Sequence, residues 1–173
     1  HLDVLLTETR RHEELIQLLL EPPDGDEESV DRLKLYRAAE IAEEQLQRPH
    51  TAMEIYEQVL AEDPHDEIAL DSLDRLYADG GRWEDKTALF EPRLAMALDA
   101  KDDVRVCELL YARGQTEEHR LLDPDKAIAS YEEALDRSHD YVPALSALEE
   151  LQARRSTRPD VCNDGTRRGT PPR

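Results

Sequence analysis

Laid over itself at a shift of 75 residues, without a gap, the sequence matches at 14 of the 44 positions between 35–78 and 110–153. Average composition gives roughly three such identities by chance, so this is an internal repeat. The shared residues are Leu35/Leu110, Tyr36/Tyr111, Glu43/Glu118, Leu46/Leu121, Pro49/Pro124, Ala52/Ala127 and Tyr56/Tyr131. They continue through Glu57/Glu132, Leu60/Leu135, Ala69/Ala144, Leu70/Leu145, Leu73/Leu148, Leu76/Leu151 and Ala78/Ala153. A weaker echo at a shift of 71 lays Arg11-His12-Glu13-Glu14 over Arg82-Trp83-Glu84-Asp85, with Leu2/Leu73, Leu5/Leu76 and Leu18/Leu89 on the same shift. A period this long divides into two helix pairs of about 37 residues each.

The periodicity inside the repeat is helical. Ala52, Ile55, Tyr56, Val59 and Leu60 follow the i, i+3, i+4, i+7, i+8 spacing of one helix face, and Ala127, Ile128, Tyr131, Ala134 and Leu135 restate it. Sustained alternation is missing and β-branched residues are sparse, which argues against strands. Pro49 and Pro124 precede helices, where a lost N–H costs nothing. Asp63-Pro64 and Gly80-Gly81 close others, and Pro22-Pro23-Asp24-Gly25 separates the first pair from the second. The spacing predicts helices over 2–9, 12–21, 28–47, 50–62, 66–79, 82–98, 102–121, 125–136 and 141–154: four pairs and one orphan.

These residues resemble the tetratricopeptide repeat. Ala52-x-x-x-Tyr56 followed by Pro64 matches that family's small residue, aromatic and proline; Ala127-x-x-x-Tyr131 matches with His139 in the proline's place. Tyr36 with Ala39, and Tyr111 with Gly114, supply the aromatic and the small residue where two helices cross. Only a small side chain lets the axes approach to about 8–10 Å. Lys86 on an otherwise apolar stripe, Pro92 inside a helix, and extra residues before Pro49 and Pro124 depart from the pattern. The resemblance covers 2–154 and implies an all-α fold: an α-solenoid of about four and a half antiparallel helix pairs in a right-handed superhelix. It also implies a scaffold that binds proteins or peptides. Related "half" repeats and other α-solenoids share these features.

Charge narrows the partner. With 41 acidic against 22 basic residues the chain carries a formal −19, which repels phosphate backbones, so nucleic acid is not an expected partner. No apolar run approaches the ~20 residues of a membrane-spanning helix. Cys107 and Cys162 are too far apart for a CxxC site and too few for a disulfide framework. His12-Glu13-Glu14-Leu15-Ile16 opens like a zinc helix, but Ile16 stands where the second His must be. Asp24-Gly25-Asp26-Glu27-Glu28 lacks the alternating oxygen ligands of a calcium loop, as does Asp99-Ala100-Lys101-Asp102-Asp103. The six histidines share no i, i+3 or i+4 spacing, and no phosphate-binding glycine motif occurs. Trp83 reads as a structural plug rather than a binding hot spot. No catalytic, cofactor or metal site is expected, and the chain does not read as an enzyme.

If the first helix of each pair lines a concave surface, a second set of positions faces that groove. These are Tyr36, Glu40 and Glu44; Asp71, Arg75 and Asp79; Tyr111, Gln115 and His119; and Ser146 and Glu150. The groove is then acidic with tyrosine patches, suited to a basic or amphipathic segment. The family's submode that clamps a C-terminal carboxylate uses groove asparagines, and the only asparagine here is Asn163. Residues 155–173 form a basic Arg/Thr/Gly/Pro-rich tail, read as disordered or as a truncation scar. The helix over 141–154 then lacks its usual cover, leaving Leu145, Leu148 and Leu151 partly exposed and favouring weak self-association. The chain begins at His1 and reads as a fragment of a longer, bacterial-type repeat protein, so a missing signal peptide says little; the cytoplasm is weakly favoured. The expected function is an interaction scaffold. The alternative is a docking or regulatory repeat region of a larger enzyme or of a secretion or assembly machine.

Overall fold

The computed structural model describes residues 2–21 and 31–156. The loop at 22–25, the acidic cluster at 24–28, the predicted helix start at 28–30 and the tail from 157 onward lie outside the described residues. Every regular element described is helical: α1 (Leu2–Leu20), α2 (Arg32–Glu40), a π-helical turn continuing it (Ile41–Gln45), α3 (Pro49–Glu62), α4 (Glu67–Asp79), α5 (Trp83–Ala88), α6 (Phe90–Asp99), α7 (Asp103–His119), α8 (Pro124–Arg137) and α9 (Val142–Ser156).

Aspartates start four of these helices. The carboxylates of Asp31, Asp66, Asp102 and Asp123 accept the backbone N–H of Leu33, Ala69, Arg105 and Lys126 respectively. At the buried Asp66 such a cap contributes about 1 kcal/mol. Pro49 and Pro124 occupy first helical positions. Three ends turn through left-handed residues without glycine, at Gln47 (φ 53°), Lys101 (φ 55°) and Leu122 (φ 54°). Gln47 and Leu122 are 75 apart, so the extra residues before each proline are a repeated left-handed exit. In both, the N–H of the residue after the left-handed one reaches back six positions, Arg48 to the Ala42 carbonyl and Asp123 to the Glu117 carbonyl.

Two predicted boundaries are corrected. Residues 2–9 and 12–21 form the single helix α1, not a pair. The echo at a shift of 71 places Thr9-Arg10 where Gly80-Gly81 ends α4, and neither residue breaks a helix. The predicted helix over 82–98 is broken at Leu89 into α5 and α6. Pro92 has no N–H for the Ala88 carbonyl and its ring crowds it, so Pro92 fits only in the first turn of a new helix. The helix expected over 28–47 begins four residues later, at Arg32 behind the Asp31 cap, and the rest begin and end within two residues of expectation.

Consecutive helices pack on one another, and named side chains show how the ends meet. Between α7 and α8, Cys107 meets Ala134 and Glu118 meets Tyr131. Gly114 sits at that crossing: a Cβ there would lie 2.5 Å from the Tyr131 ring. The buried side chains form two clusters that part at Leu89/Phe90. Leu35, Ile55, Leu70, Leu73 and Leu89 belong to the first; Phe90, Leu94, Leu110, Tyr131 and Leu151 to the second.

The expectation for α9 is half corrected. Leu145 is 37% exposed and Leu148 is only partly buried, as expected, but Leu151 is 5% exposed.

Candidate functional site

The predicted groove residues lie on α2, α4, α7 and α9 and do not converge on one cavity. Several are committed to joining these helices. The Asp66 carboxylate, buried at the start of α4, accepts the Ala69 N–H at 2.8 Å, Arg32 at 3.3 Å and a short hydrogen bond from the Tyr36 hydroxyl. Burial first, and that bond second, push the Tyr36 phenol up to about 12. At the other end of the same two helices, Arg75 grips Glu43 through both nitrogens at 2.5 and 2.8 Å. The Arg75 hydrogen bond holds the Glu43 carboxyl below the usual carboxylate range, against its partial burial.

The second half repeats the scheme with altered chemistry. The Tyr111 ring lies 5.7 Å from Tyr131 and 6.1 Å, edge-on, from Tyr141 at the start of α9, and the Tyr111 hydroxyl accepts from Gln115. At the far end, buried Glu118 accepts Arg154 at 2.7 Å and the Tyr131 hydroxyl at 3.1 Å. Its neighbour Glu117, also buried, accepts Ser130 at 2.6 Å. Ser130 in turn accepts from Arg113, whose other nitrogens reach Glu91 and Glu133. Reading the sequence misses this network. The Glu43/Glu118 and Tyr56/Tyr131 identities carry half of its signal; Arg113, Ser130 and Arg154 carry none, because their repeat mates are Ala38, Ile55 and Asp79.

The remaining predicted residues face water. Glu40 pairs with Arg37 at 3.0 Å, Glu150 stands 3.6 Å from Arg154, and Asp71 pairs with Arg93 at 2.8 Å while 82% exposed. Glu44, Asp79, Ser146 and His119 are exposed. His119 Nδ1 lies 3.8 Å from Glu118. Glu40 and Glu44 share a recess of about 120 Å³ between α1 and α2, with His12, Leu15 and Ile41.

Other singled-out residues have structural places. Trp83 is half-buried, with the Arg120 guanidinium 4.6 Å over its ring. Lys86, out of character on its stripe, reaches the Asp74 carboxylate at 2.5 Å. Cys107 is 1% exposed and burial pushes its thiol up, the opposite of a reactive thiolate. Among the described residues no three His, Cys, Asp or Glu side chains gather to hold a metal, and no helix is long and apolar enough to cross a membrane.

Comparison with known protein families and with curated proteins finds no match for this chain.

Proposed function

We propose that the chain is a tetratricopeptide-like α-solenoid, its antiparallel helix pairs stacked in a right-handed superhelix. It acts as a non-enzymatic scaffold that binds a basic or amphipathic protein segment on an acidic face. The doubled joint carries this reading. α2 and α4 meet head to head at Tyr36–Asp66 and tail to tail at Glu43–Arg75. α7 and α9 meet where the middle of α7 reaches the start of α9, at Tyr111–Tyr141, and tail to tail at Glu118–Arg154. Helices joined at like ends across an intervening helix are what a stacked array of pairs requires, and such arrays offer long surfaces rather than deep pockets. Along that surface the carboxylates of Glu40, Glu44, Asp79 and Glu150 are exposed.

The test is a pull-down with mass spectrometry comparing the wild type with a Glu44→Lys/Asp79→Lys variant. Both positions are exposed, so the fold should survive. Basic partners should be lost; an unchanged bound set removes the acidic-face reading.

A further inference from the structure

The seam between the two buried clusters is open. Among the described residues α4 has no extended packing against α6 or α7, and a cleft of about 390 Å³ lies among the three helices. Its floor is drawn from both sides: Leu70 belongs to the first cluster, Ala97 and Leu109 to the second, and Met96 packs against the first. That volume is near the low end for ligand cavities, roughly 300–1,000 Å³, and the cleft is open to solvent rather than enclosed. It suits a side chain or two of an extended segment better than an enclosed small molecule.

The charges on its rim are unevenly committed. Arg93 is held by Asp71 at 2.8 Å and Asp74 at 3.3 Å, and Arg105 by Glu108 at 3.1 Å. The Asp102 carboxylate caps α7 but, like exposed Glu67, enters no ion pair among the described residues. The cations of the rim are therefore already neutralised, and the uncompensated charge is two carboxylates beside an apolar floor. A group that brings positive charge next to an aliphatic one complements both.

We propose that this cleft binds an extended peptide segment of a partner protein. One aliphatic side chain rests on Leu70, Met96, Ala97 and Leu109, and an adjacent Lys or Arg lies against Glu67 and Asp102. The proposal rests on the reading of the chain as a peptide-binding scaffold. It adds an anchoring contact at the seam to the acidic row formed by α2, α4, α7 and α9.

The test uses the full chain, labelled with nitrogen-15, and three synthetic hexapeptides alternating Leu-Lys, Ser-Lys and Leu-Glu. The Leu-Lys peptide should shift the amide resonances of Met96, Ala97, Ala100 and Leu109, and the other two should not. Ala100→Trp, which fills the cleft from an exposed position, should weaken binding about tenfold or more. Glu67→Gln should weaken it about two- to fivefold, chiefly at low salt. Circular dichroism should find both variants folded as the wild type. Equal binding of all three peptides overturns the proposal. So do shifts at Glu40 or Gln115 with the cleft silent, an outcome that leaves the scaffold reading standing. So does a cleft whose resonances move with protein concentration alone, which would make a second copy the occupant. If no peptide moves any resonance the cleft proposal falls, and the pull-down judges the scaffold separately.

Discussion

Tyrosine hydroxyls bonded to carboxylates recur in both halves of the molecule: Tyr36 to Asp66, Tyr77 to Glu57 at 2.6 Å, and Tyr131 to Glu118 at 3.1 Å. In each, burial first and the carboxylate second raise the phenol, to about 12 at Tyr36 and well above its ordinary value at Tyr77 and Tyr131. A phenol with a higher pKa folded than unfolded holds its proton more tightly in the fold. Its contribution is complete below the unfolded value of about 10 and is lost as pH climbs through the folded value. The urea midpoint should therefore be flat from neutrality to about pH 9.5 and fall steadily above about pH 10. Tyr36→Phe should flatten part of that fall, and a midpoint equally steep in the variant would show the tyrosines are not its cause. The carboxylate joints show how a repeat keeps a bond while shifting its partner. Glu43 and Glu118 are 75 apart, but their arginines, Arg75 and Arg154, are 79 apart. The cation has moved four positions along its helix and so remains on the same face. An alignment in strict register sees the glutamate persist and loses the arginine.

At the scale of the helix, much was legible because local chemistry decides it. Pro49, Pro124, Asp63-Pro64 and Gly80-Gly81 mark real ends, and the stripes from Ala52 and Ala127 are the faces that are buried. Illegible were the places where a weak echo suggested a break that no residue enforces, as in α1, and where packing sets the finer geometry. Leu89 and Phe90 are adjacent in sequence yet enter different clusters; Pro92 flags the break without fixing its residue. The left-handed exits at Gln47 and Leu122 carry no glycine and so send no signal. Of the predicted groove, the helices were readable from the repeat, but which residues face water was not. Tyr36, Arg75 and Tyr111 turn out to join helices because of partners 30 or more residues away or stacked across a pair. The small residue at the α7/α8 crossing was readable, and its consequence can be measured. In an ordinary helix interior, Gly→Ala gains about 0.5–1 kcal/mol. At Gly114 the new methyl meets three Tyr131 ring carbons at 2.5–3.0 Å, and that ring is fully buried with its hydroxyl bonded to Glu118. Gly114→Ala should thus reverse sign and cost about 1–3 kcal/mol by urea denaturation; a stabilised variant would mean the crossing is looser than this.

For the whole molecule, the negative charge and the divided core have different consequences. From Arg154 onward the sequence has six Arg and two Asp, so the −19 of the chain understates the acidity of the helical body. Most of that charge sits on exposed helix faces, where individual pairs contribute about 0–1 kcal/mol; it keeps the surface soluble without deciding the fold. Stability comes from the two clusters, and their separation at Leu89/Phe90 predicts that it is local. In a stacked array each unit feels chiefly its neighbours, so damage to one end is not shared equally by the other. Leu73 is fully buried in the first cluster and Leu110 in the second. Truncating either to Ala removes comparable apolar volume and should cost about 2–5 kcal/mol locally. Hydrogen exchange should then separate the two variants. Leu110→Ala should speed exchange through α7, α8 and α9 while the amides of α3 and α4 keep most of their protection, and Leu73→Ala should do the reverse. α5 and α6 span the seam, with Lys86 and Arg93 both reaching back to Asp74, and should respond to both. If either substitution lowers protection evenly from α2 to α9, the clusters unfold as one cooperative body. The seam would then be a feature of shape and not of energy.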